Sequence, residues 1–205
     1  MKNLRNLLFG TFLCFISFEI FSDPSFRIDN TSIIGTKSSN NIDIYLGVPF
    51  AEPPINDLRW EKTKPKTFNQ DKYFAKKFAP ACMQGPRIVN WYKGVASGFG
   101  GDPEYISMPQ ISEDCLYLNM WVPGINDKDN KLPVLVFIHG GSNRAGWSFE
   151  PNYIGKELAK KGIIVITVAY RLGVFGFYSH PQLDASNFAI LDLIEALKWI
   201  KNNIS

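Results

Sequence analysis

Apolar and polar residues alternate in two early segments of the chain, whereas two later segments are almost continuously apolar. Residues 41–48 alternate at their start and residues 25–34 do so more loosely, which predicts an early, half-buried antiparallel hairpin. The runs at 132–138 and 163–168 are almost entirely apolar, which favours strands covered on both faces. The pattern predicts an antiparallel start that leads into a parallel sheet.

Two segments have helical periodicity. Residues 151–161 carry apolar side chains at helical spacing and are followed by Gly162, which stands where a helix C-cap would. Because this helix lies between the two apolar runs, it predicts a βαβ crossover that joins parallel strands. A second helix is predicted over residues 187–203, with a broad apolar face formed by Phe188, Leu191, Ile194, Leu197 and Trp199.

The stretch from residue 50 to 111 is rich in proline, glycine and charge, and predicts a long excursion over a surface. Residues 115–122 then predict a strand, and residues 124–131 a polar turn. The fold class is therefore α/β. Since the chain ends directly after a long helix, where an α/β fold would next require a strand, we expect it to be part of something longer.

Composition and charge exclude some classes of protein. With 205 residues, 45% hydrophobic and 20% charged, the chain can bury one substantial core and is not a disordered tail. The net charge of +3 is spread along the chain, without the block of lysine and arginine that tracks phosphates. We therefore expect no nucleic-acid partner.

The N-terminus has the pattern of a secretory signal peptide. Lys2 and Arg5 precede an apolar run over residues 7–21, and Ser22 ends the segment. We expect residues 1–22 to be removed by cleavage after Ser22, which indicates a secreted or periplasmic protein. The apolar run is shorter than the roughly 20 residues of a membrane span, so no stable span is expected, and a retained anchor is the alternative.

Cleavage would also remove Cys14 and leave Cys82 and Cys115 as the remaining thiols. In an oxidising compartment two cysteines predict one disulfide, and a pair of buried free thiols is the alternative.

The apolar run at residues 132–138 leads directly into His139, Gly140, Gly141 and Ser142. Ligands of open parallel sheets bind at the carboxyl ends of the strands, where this turn lies. Glycines let the backbone approach a substrate, and successive N–H groups can stabilise an oxyanion. The alternative is a tight turn without a catalytic role.

The residues that would complete such a site are missing from the sequence. No Gly-x-Ser-x-Gly motif occurs, and residues 146–150 come nearest but lack the second glycine. A triad of Ser142, His180 and Asp184 has no support, and His180 with Asp184 has no companion metal ligand nearby. We therefore expect neither a metal nor a cofactor.

Six segments, in this order and spacing, resemble the type-B carboxylesterases of the α/β-hydrolase fold, the group that includes the cholinesterases. The similarity extends roughly from Ile42 to Ser205. The segments are residues 45–54, 58–60, 112–119, 136–141, 170–177 and 187–192.

The resemblance implies structural roles for six residues. Cys82 and Cys115 form the disulfide that closes a loop beside the active-site gorge. Arg59 pairs with Glu113, and Arg171 pairs with Asp192. Glu113 and Asp114 are adjacent carboxylates at the start of a strand, and their side chains face opposite ways. An ion pair is therefore a better interpretation of Glu113 than a shared role in acid–base chemistry.

The same resemblance implies that the glycine-rich turn is an oxyanion hole. Gly141 and Ser142 supply N–H groups, Gly140 allows the bend, and a third donor follows the nucleophile. The nucleophilic serine, the acid and the histidine lie beyond Ser205.

The sequence also departs from the family pattern. Ser142 replaces the third glycine of the turn, Ala169 replaces an asparagine and Leu193 replaces a glutamine. Tyr105 stands where cholinesterases have the tryptophan that binds choline, so a cationic choline ester is not the favoured substrate.

These observations predict the N-terminal portion, residues 23–205, of a serine esterase that hydrolyses small carboxylic esters through an acyl-enzyme. We expect this chain by itself to be inactive. Two alternatives remain: a cholinesterase-like adhesion or binding protein without a triad, and a truncated gene product that never folds.

Overall fold

A computed structural model describes residues 23–124 and 131–204. The strands are β1 (Ser25–Ile28), β2 (Thr31–Ile34), β3 (Thr36–Lys37), β4 (Ile42–Pro49), β5 (Lys72–Phe74), β6 (Ala81–Cys82), β7 (Ile111–Ser112), β8 (Tyr117–Pro123), β9 (Val134–Ile138) and β10 (Ile164–Val168). The helices are α1 (Arg87–Gly98), α2 (Lys156–Ala159), α3 (Gly173–Phe177) and α4 (Phe188–Asn203). The predicted signal peptide and residues 125–130 of the predicted polar turn lie outside these residues.

The largest sheet has five strands in the order β3, β4, β8, β10, β9. Its first three pairings are antiparallel, and β9 pairs with β10 in parallel, from Val134 opposite Ile164 to Ile138 opposite Val168. An antiparallel start that leads into a parallel pair is therefore confirmed.

An early antiparallel hairpin is present, but it forms within residues 25–34 alone, where β1 pairs with β2. Asp29 adopts a left-handed φ of 48° in the connecting turn, and β5 adds a parallel strand beside β2. The alternating segment at residues 41–48 does not belong to this hairpin. It forms β4, which pairs with β3 and β8 in the large sheet.

The two apolar runs form neighbouring strands with different environments. All five residues of β10 are buried, as predicted. The prediction that β9 is covered on both faces is wrong for the part of the chain that the structure describes, since Val134, Leu135 and Ile138 are about 40% exposed. The reason is position: β9 is the last strand in the order of the sheet and has β10 as its neighbour.

The predicted crossover is present, but its helix is shorter than predicted. A 3₁₀ turn covers Pro151–Tyr153 and α2 covers Lys156–Ala159. Gly162 has a left-handed φ of 84° after the helix, and its N–H donates to the carbonyl of Ala159. This is the conformation for which glycine is favoured at a helix C-terminus.

Helix α1 is a difference from the prediction, which gives residues 50–111 as a surface excursion because they are rich in proline, glycine and charge. The helix has 12 residues, and it contains both Gly94 and Gly98. Its buried residue Val89 belongs to a small apolar cluster with Ala81 and Trp147. Tertiary packing therefore stabilises a segment whose local sequence disfavours a helix.

Helix α4 was predicted within one residue at its start, but its buried face differs in part from the prediction. Its buried residues are Phe188, Ala189, Asp192, Ala196, Trp199 and Ile200. Ile194 and Leu197 are more than 40% exposed. The helix packs through small alanines and a buried aspartate, which hydrophobic periodicity does not reveal.

Asn119 connects three parts of the structure from inside the core, where it is 2% exposed. Its Oδ1 accepts the N–H of Gly47 at 3.0 Å, at the bulge of β4. Its Nδ2 donates to Ser148 Oγ and to Thr167 Oγ1, each at 3.1 Å. The amide thereby joins β4 and β10 to the loop that follows β9.

Among the residues that the structure describes, no helix has the length and apolar character that crossing a membrane requires.

Candidate functional site

The glycine-rich turn lies at the carboxyl end of β9, where the sequence predicted it. Three successive residues have positive φ: Gly141 at 116°, Ser142 at 56° and Asn143 at 61°. The carbonyl of Gly141 accepts the N–H groups of Arg144 at 3.1 Å and of Ala145 at 3.2 Å, which closes the turn. Left-handed conformations at non-glycine residues carry strain, and such strain often accompanies functional sites.

The N–H groups of Gly141 and Ser142 donate to no acceptor among residues 23–124 and 131–204. Gly140 and Ser142 both have exposed surface at the turn. Unpaired backbone donors at the end of a parallel strand are suited to an anionic or developing negative oxygen.

His139 lies beneath the turn and is 3% exposed. Its ring stacks on Tyr170 with centroids 4.6 Å apart, and the Tyr170 hydroxyl donates to the carbonyl of His139 at 2.8 Å. Burial lowers the pKa of His139 to about 4, although a hydrogen bond to the carbonyl of Gly140 favours the protonated form. The ring is therefore neutral at pH 7, and Nδ1, 2.9 Å from that carbonyl oxygen, carries the proton.

Gln84 holds the same loop from the side of the disulfide. Its Nε2 donates to the carbonyl of Gly146 at 2.7 Å, and its Oε1 accepts the N–H of Gly146 at 2.8 Å. Nε2 also donates to the carbonyl of Cys82 at 3.1 Å. The sequence reasoning missed Gln84, since a lone glutamine in a loop has no distinguishing pattern.

Glu150 is a second residue that the sequence reasoning missed, and it is 1% exposed. One carboxylate oxygen accepts the N–H of Trp147 at 3.1 Å, and the other accepts the hydroxyl of Tyr92 from α1. Burial and this hydrogen bond raise the pKa of Tyr92. Glu150 lies within residues 146–150, the segment that comes nearest to the missing Gly-x-Ser-x-Gly motif, and this position was the signal available in the sequence. The burial of its carboxylate cannot be read from the sequence.

Two clefts meet at Ser142. One, of about 340 Å³, lies between the turn and α1 and is lined by Gly140, Gly141 and Trp91 among others. The other, of about 630 Å³, lies between the turn and the segment that begins with Gly173. A ligand at the turn can therefore extend in two directions.

A further cleft of about 480 Å³ is lined by Tyr105, Trp147 and Phe149, and it shares Tyr92 with the 340 Å³ cleft. Tyr105, the residue at the choline position of the resemblance, is 89% exposed.

The structure joins the residues to which the resemblance gave structural roles. A disulfide connects Cys82 to Cys115, both buried, so the alternative of two free thiols does not apply. Arg59 donates twice to Glu113, from Nε at 2.5 Å and from Nη2 at 2.6 Å. This pair is partly exposed.

The second ion pair is buried: Arg171 is 3% exposed and Asp192 is fully buried. Nη2 of Arg171 lies 2.8 Å from Oδ1 of Asp192, and Nε lies 2.9 Å from Oδ2. The guanidinium also donates to the carbonyl of Glu61 and the hydroxyl of Thr63. The pair therefore connects α4 to the end of β10 and to the early loop.

The structure does not bring Ser142, His180 and Asp184 together by any hydrogen bond, and all three are exposed. Within the described residues no group of three or more histidine, cysteine or acidic side chains could hold a metal ion.

This fold, with a glycine-rich turn at the carboxyl end of a parallel strand, is that of one part of an α/β-hydrolase. Its sequence matches the family described as "Carboxylesterase family" over residues 22–205, and the chain belongs to that family.

The relatives and solved structures that the chain resembles include several esterases. The chain is 35% identical to fumonisin B1 esterase of Sphingopyxis macrogoltabida, over 80% of this chain and 29% of that protein. It is 35% identical to para-nitrobenzyl esterase of Bacillus subtilis strain 168, over 82% of this chain and 32% of that protein. A solved thermophilic PNB esterase superposes with a TM-score of 0.77 at 32% identity, covering 89% of this chain and 36% of that structure. The chain thus spans about a third of the length of these proteins.

Proposed function

We propose that this chain supplies the oxyanion hole of a serine carboxylesterase, formed by Gly140, Gly141 and Ser142. The supporting observation is the pair of unpaired N–H groups, on Gly141 and Ser142, at the carboxyl end of β9. The family and the names of the relatives support hydrolysis of carboxylic esters.

In the proposed mechanism a serine, supplied with its acid and base from beyond Ser205, attacks the carbonyl carbon of the ester. The carbonyl oxygen becomes negative, and the N–H groups of Gly141 and Ser142 donate to it. Removing one such donor costs about 3–4 kcal/mol of transition-state stabilisation in other enzymes. The intermediate expels the alcohol and leaves an acyl-enzyme, which water then hydrolyses.

His139 is a positioning residue in this mechanism. A catalytic base must reach the reacting hydroxyl and titrate near the working pH. The buried ring, whose pKa is about 4, instead contacts the carbonyl of Gly140 and stacks on Tyr170. It fixes the backbone that enters the turn.

We also propose that residues 1–22 are a signal peptide and that residues 23–205 are the N-terminal portion of a secreted or periplasmic esterase. The disulfide between Cys82 and Cys115 supports an oxidising compartment. N-terminal sequencing of the exported protein is expected to begin at Asp23, and a retained residue 1 would contradict cleavage.

The activity is tested with two proteins: residues 23–205, and the complete product of the gene. With p-nitrophenyl acetate, we expect no turnover by residues 23–205 beyond that of a denatured sample, and clear turnover by the complete product. Turnover by residues 23–205 would show that a nucleophile is already present. An inactive complete product, with glycine or alanine at the elbow position, would contradict the esterase assignment.

A variant separates the backbone of Ser142 from its hydroxyl. Ser142→Gly keeps the N–H and suits the left-handed φ of 56°, so the complete product is expected to retain its activity. Loss of activity in this variant, with an unchanged melting temperature, would assign the chemistry to the hydroxyl instead.

A further inference from the structure

The arginines that the structure describes fall into two groups. Arg27, Arg59 and Arg171 each donate hydrogen bonds within the chain. The side chains of Arg87 and Arg144 make no hydrogen bond or ion pair with any described residue, and both are exposed. An arginine without an internal partner is available to a ligand.

The two unpaired arginines border the same turn. Arg87 begins α1 and lines the 340 Å³ cleft, whose other wall includes Gly140 and Gly141. Arg144 follows Ser142 by two positions and lines the 630 Å³ cleft. Since both clefts include Ser142, a ligand bound at the turn lies between two clefts, each lined by one of these arginines.

Among the described residues that line the two clefts, no free carboxylate balances these charges. Glu150 is the acidic residue that lines the first cleft, and its oxygens already accept from Tyr92 and from the N–H of Trp147. The residues that line the second cleft include no aspartate or glutamate. The N–H groups of the turn add partial positive charge to the same region.

We infer that Arg87 and Arg144 select esters that carry a carboxylate in the acyl or the alcohol part, such as monoesters of dicarboxylic acids. A guanidinium matches a carboxylate through two parallel hydrogen bonds, and its charge persists at every working pH. This inference rests on the proposed esterase function and names its substrate class. The occupied carboxylate of Glu150 leaves a cationic partner without a free counter-charge in either cleft.

The test compares two esters of equal acyl length, one neutral and one anionic: 4-nitrophenyl valerate and 4-nitrophenyl hydrogen glutarate. The complete gene product is assayed with each, alongside Arg87→Gln, Arg144→Gln and the double variant. We expect each single variant to lower the ratio of kcat/KM for the anionic ester to that for the neutral ester by about fivefold to tenfold. The change should fall mainly on KM.

Three controls accompany the assay. Arg27→Gln removes an arginine that bonds the carbonyl of Asn30 in the first hairpin, so the ratio should stay unchanged. Arg144→Lys keeps the charge and should restore part of the preference. Raising the salt concentration should lower the preference in the unmodified enzyme, because exposed charges are screened.

The outcomes separate the two proposals. If both esters are hydrolysed with a ratio that neither arginine substitution changes, the inference is wrong and the esterase function stands. If neither ester is hydrolysed, the esterase function fails and this inference fails with it.

Discussion

The side-chain amide of Gln84 makes two hydrogen bonds with the backbone of one residue, Gly146. The distances are 2.7 Å to the carbonyl and 2.8 Å from the N–H. Because Gln84 lies two positions after Cys82 and Gly146 lies four after Ser142, this contact connects the disulfide-closed loop to the proposed oxyanion turn. The two loops therefore support each other.

Gln84→Ala should destabilise residues 23–205 by about 1–3 kcal/mol, because three backbone groups lose their partner in a half-buried position. Urea denaturation measures this change, and hydrogen exchange of residues 139–150 should become faster. Gln182→Ala is the matched control on an exposed glutamine, with an expected effect within about 0.5 kcal/mol. Equal effects of the two substitutions would contradict a special role of Gln84.

Gly146→Ala should be strongly destabilising. The residue has a φ of 106°, and an added Cβ would lie 2.5 Å from Nδ1 of His139. Gly94→Ala is the contrasting substitution, because a Cβ there meets nothing within 4 Å and alanine favours the helix by about 0.5–1 kcal/mol. We expect thermal unfolding to give a lower melting temperature for the first variant and a higher one for the second.

The buried histidine predicts a pH dependence of stability. His139 has a pKa of about 4 in the folded chain, below the value near 6.5 that an unfolded histidine has. The unfolded state therefore binds the proton first as the pH falls. The contribution of the neutral histidine to the free energy of unfolding is fully present above about pH 6.5. It decreases by about 3 kcal/mol as the pH falls to about 4.

Urea denaturation across this pH range measures the effect in residues 23–205. His139→Gln should remove most of the histidine contribution, whereas His180→Gln, on an exposed loop, should leave the pH profile as it is. A profile that keeps its slope in the first variant would assign the pH dependence to other groups.

The buried ion pair predicts a large effect on stability from one atom change. Asp192→Asn leaves the guanidinium of Arg171 buried without its counter-charge, and this should cost about 3–5 kcal/mol. Glu195→Gln removes the same charge from the same helix, but its partner Lys198 is 65% exposed and 3.8 Å away. The control should cost about 0.5 kcal/mol or less. Chemical denaturation measures the loss of stability in each variant, and losses of similar size would contradict the prediction.

The crossover and its parallel pair of strands could be predicted because they depend on local pattern. The apolar runs that became β9 and β10 differ clearly from the polar segments around them, and the helix between them requires a parallel pairing. The position of the turn followed from the same reasoning, because it directly follows the end of β9.

The features that the sequence did not predict depend on contacts between residues that are distant in the chain. Helix α1 contains two glycines and forms where Val89 can pack with Trp147, about 60 positions away. Tyr92 on that helix and Glu150 meet for the same reason, and neither belongs to a motif. Such pairs cannot be recognised until the fold places their elements side by side.

Asn119 gives the large sheet a single register. A slip of β8 by one residue would turn its amide to the opposite face, and Gly47, Ser148 and Thr167 would lose their shared partner inside the core. The loop that carries the glycine turn therefore docks only when β4, β8 and β10 are correctly aligned. We therefore expect assembly of the sheet and formation of the site to be coupled during folding.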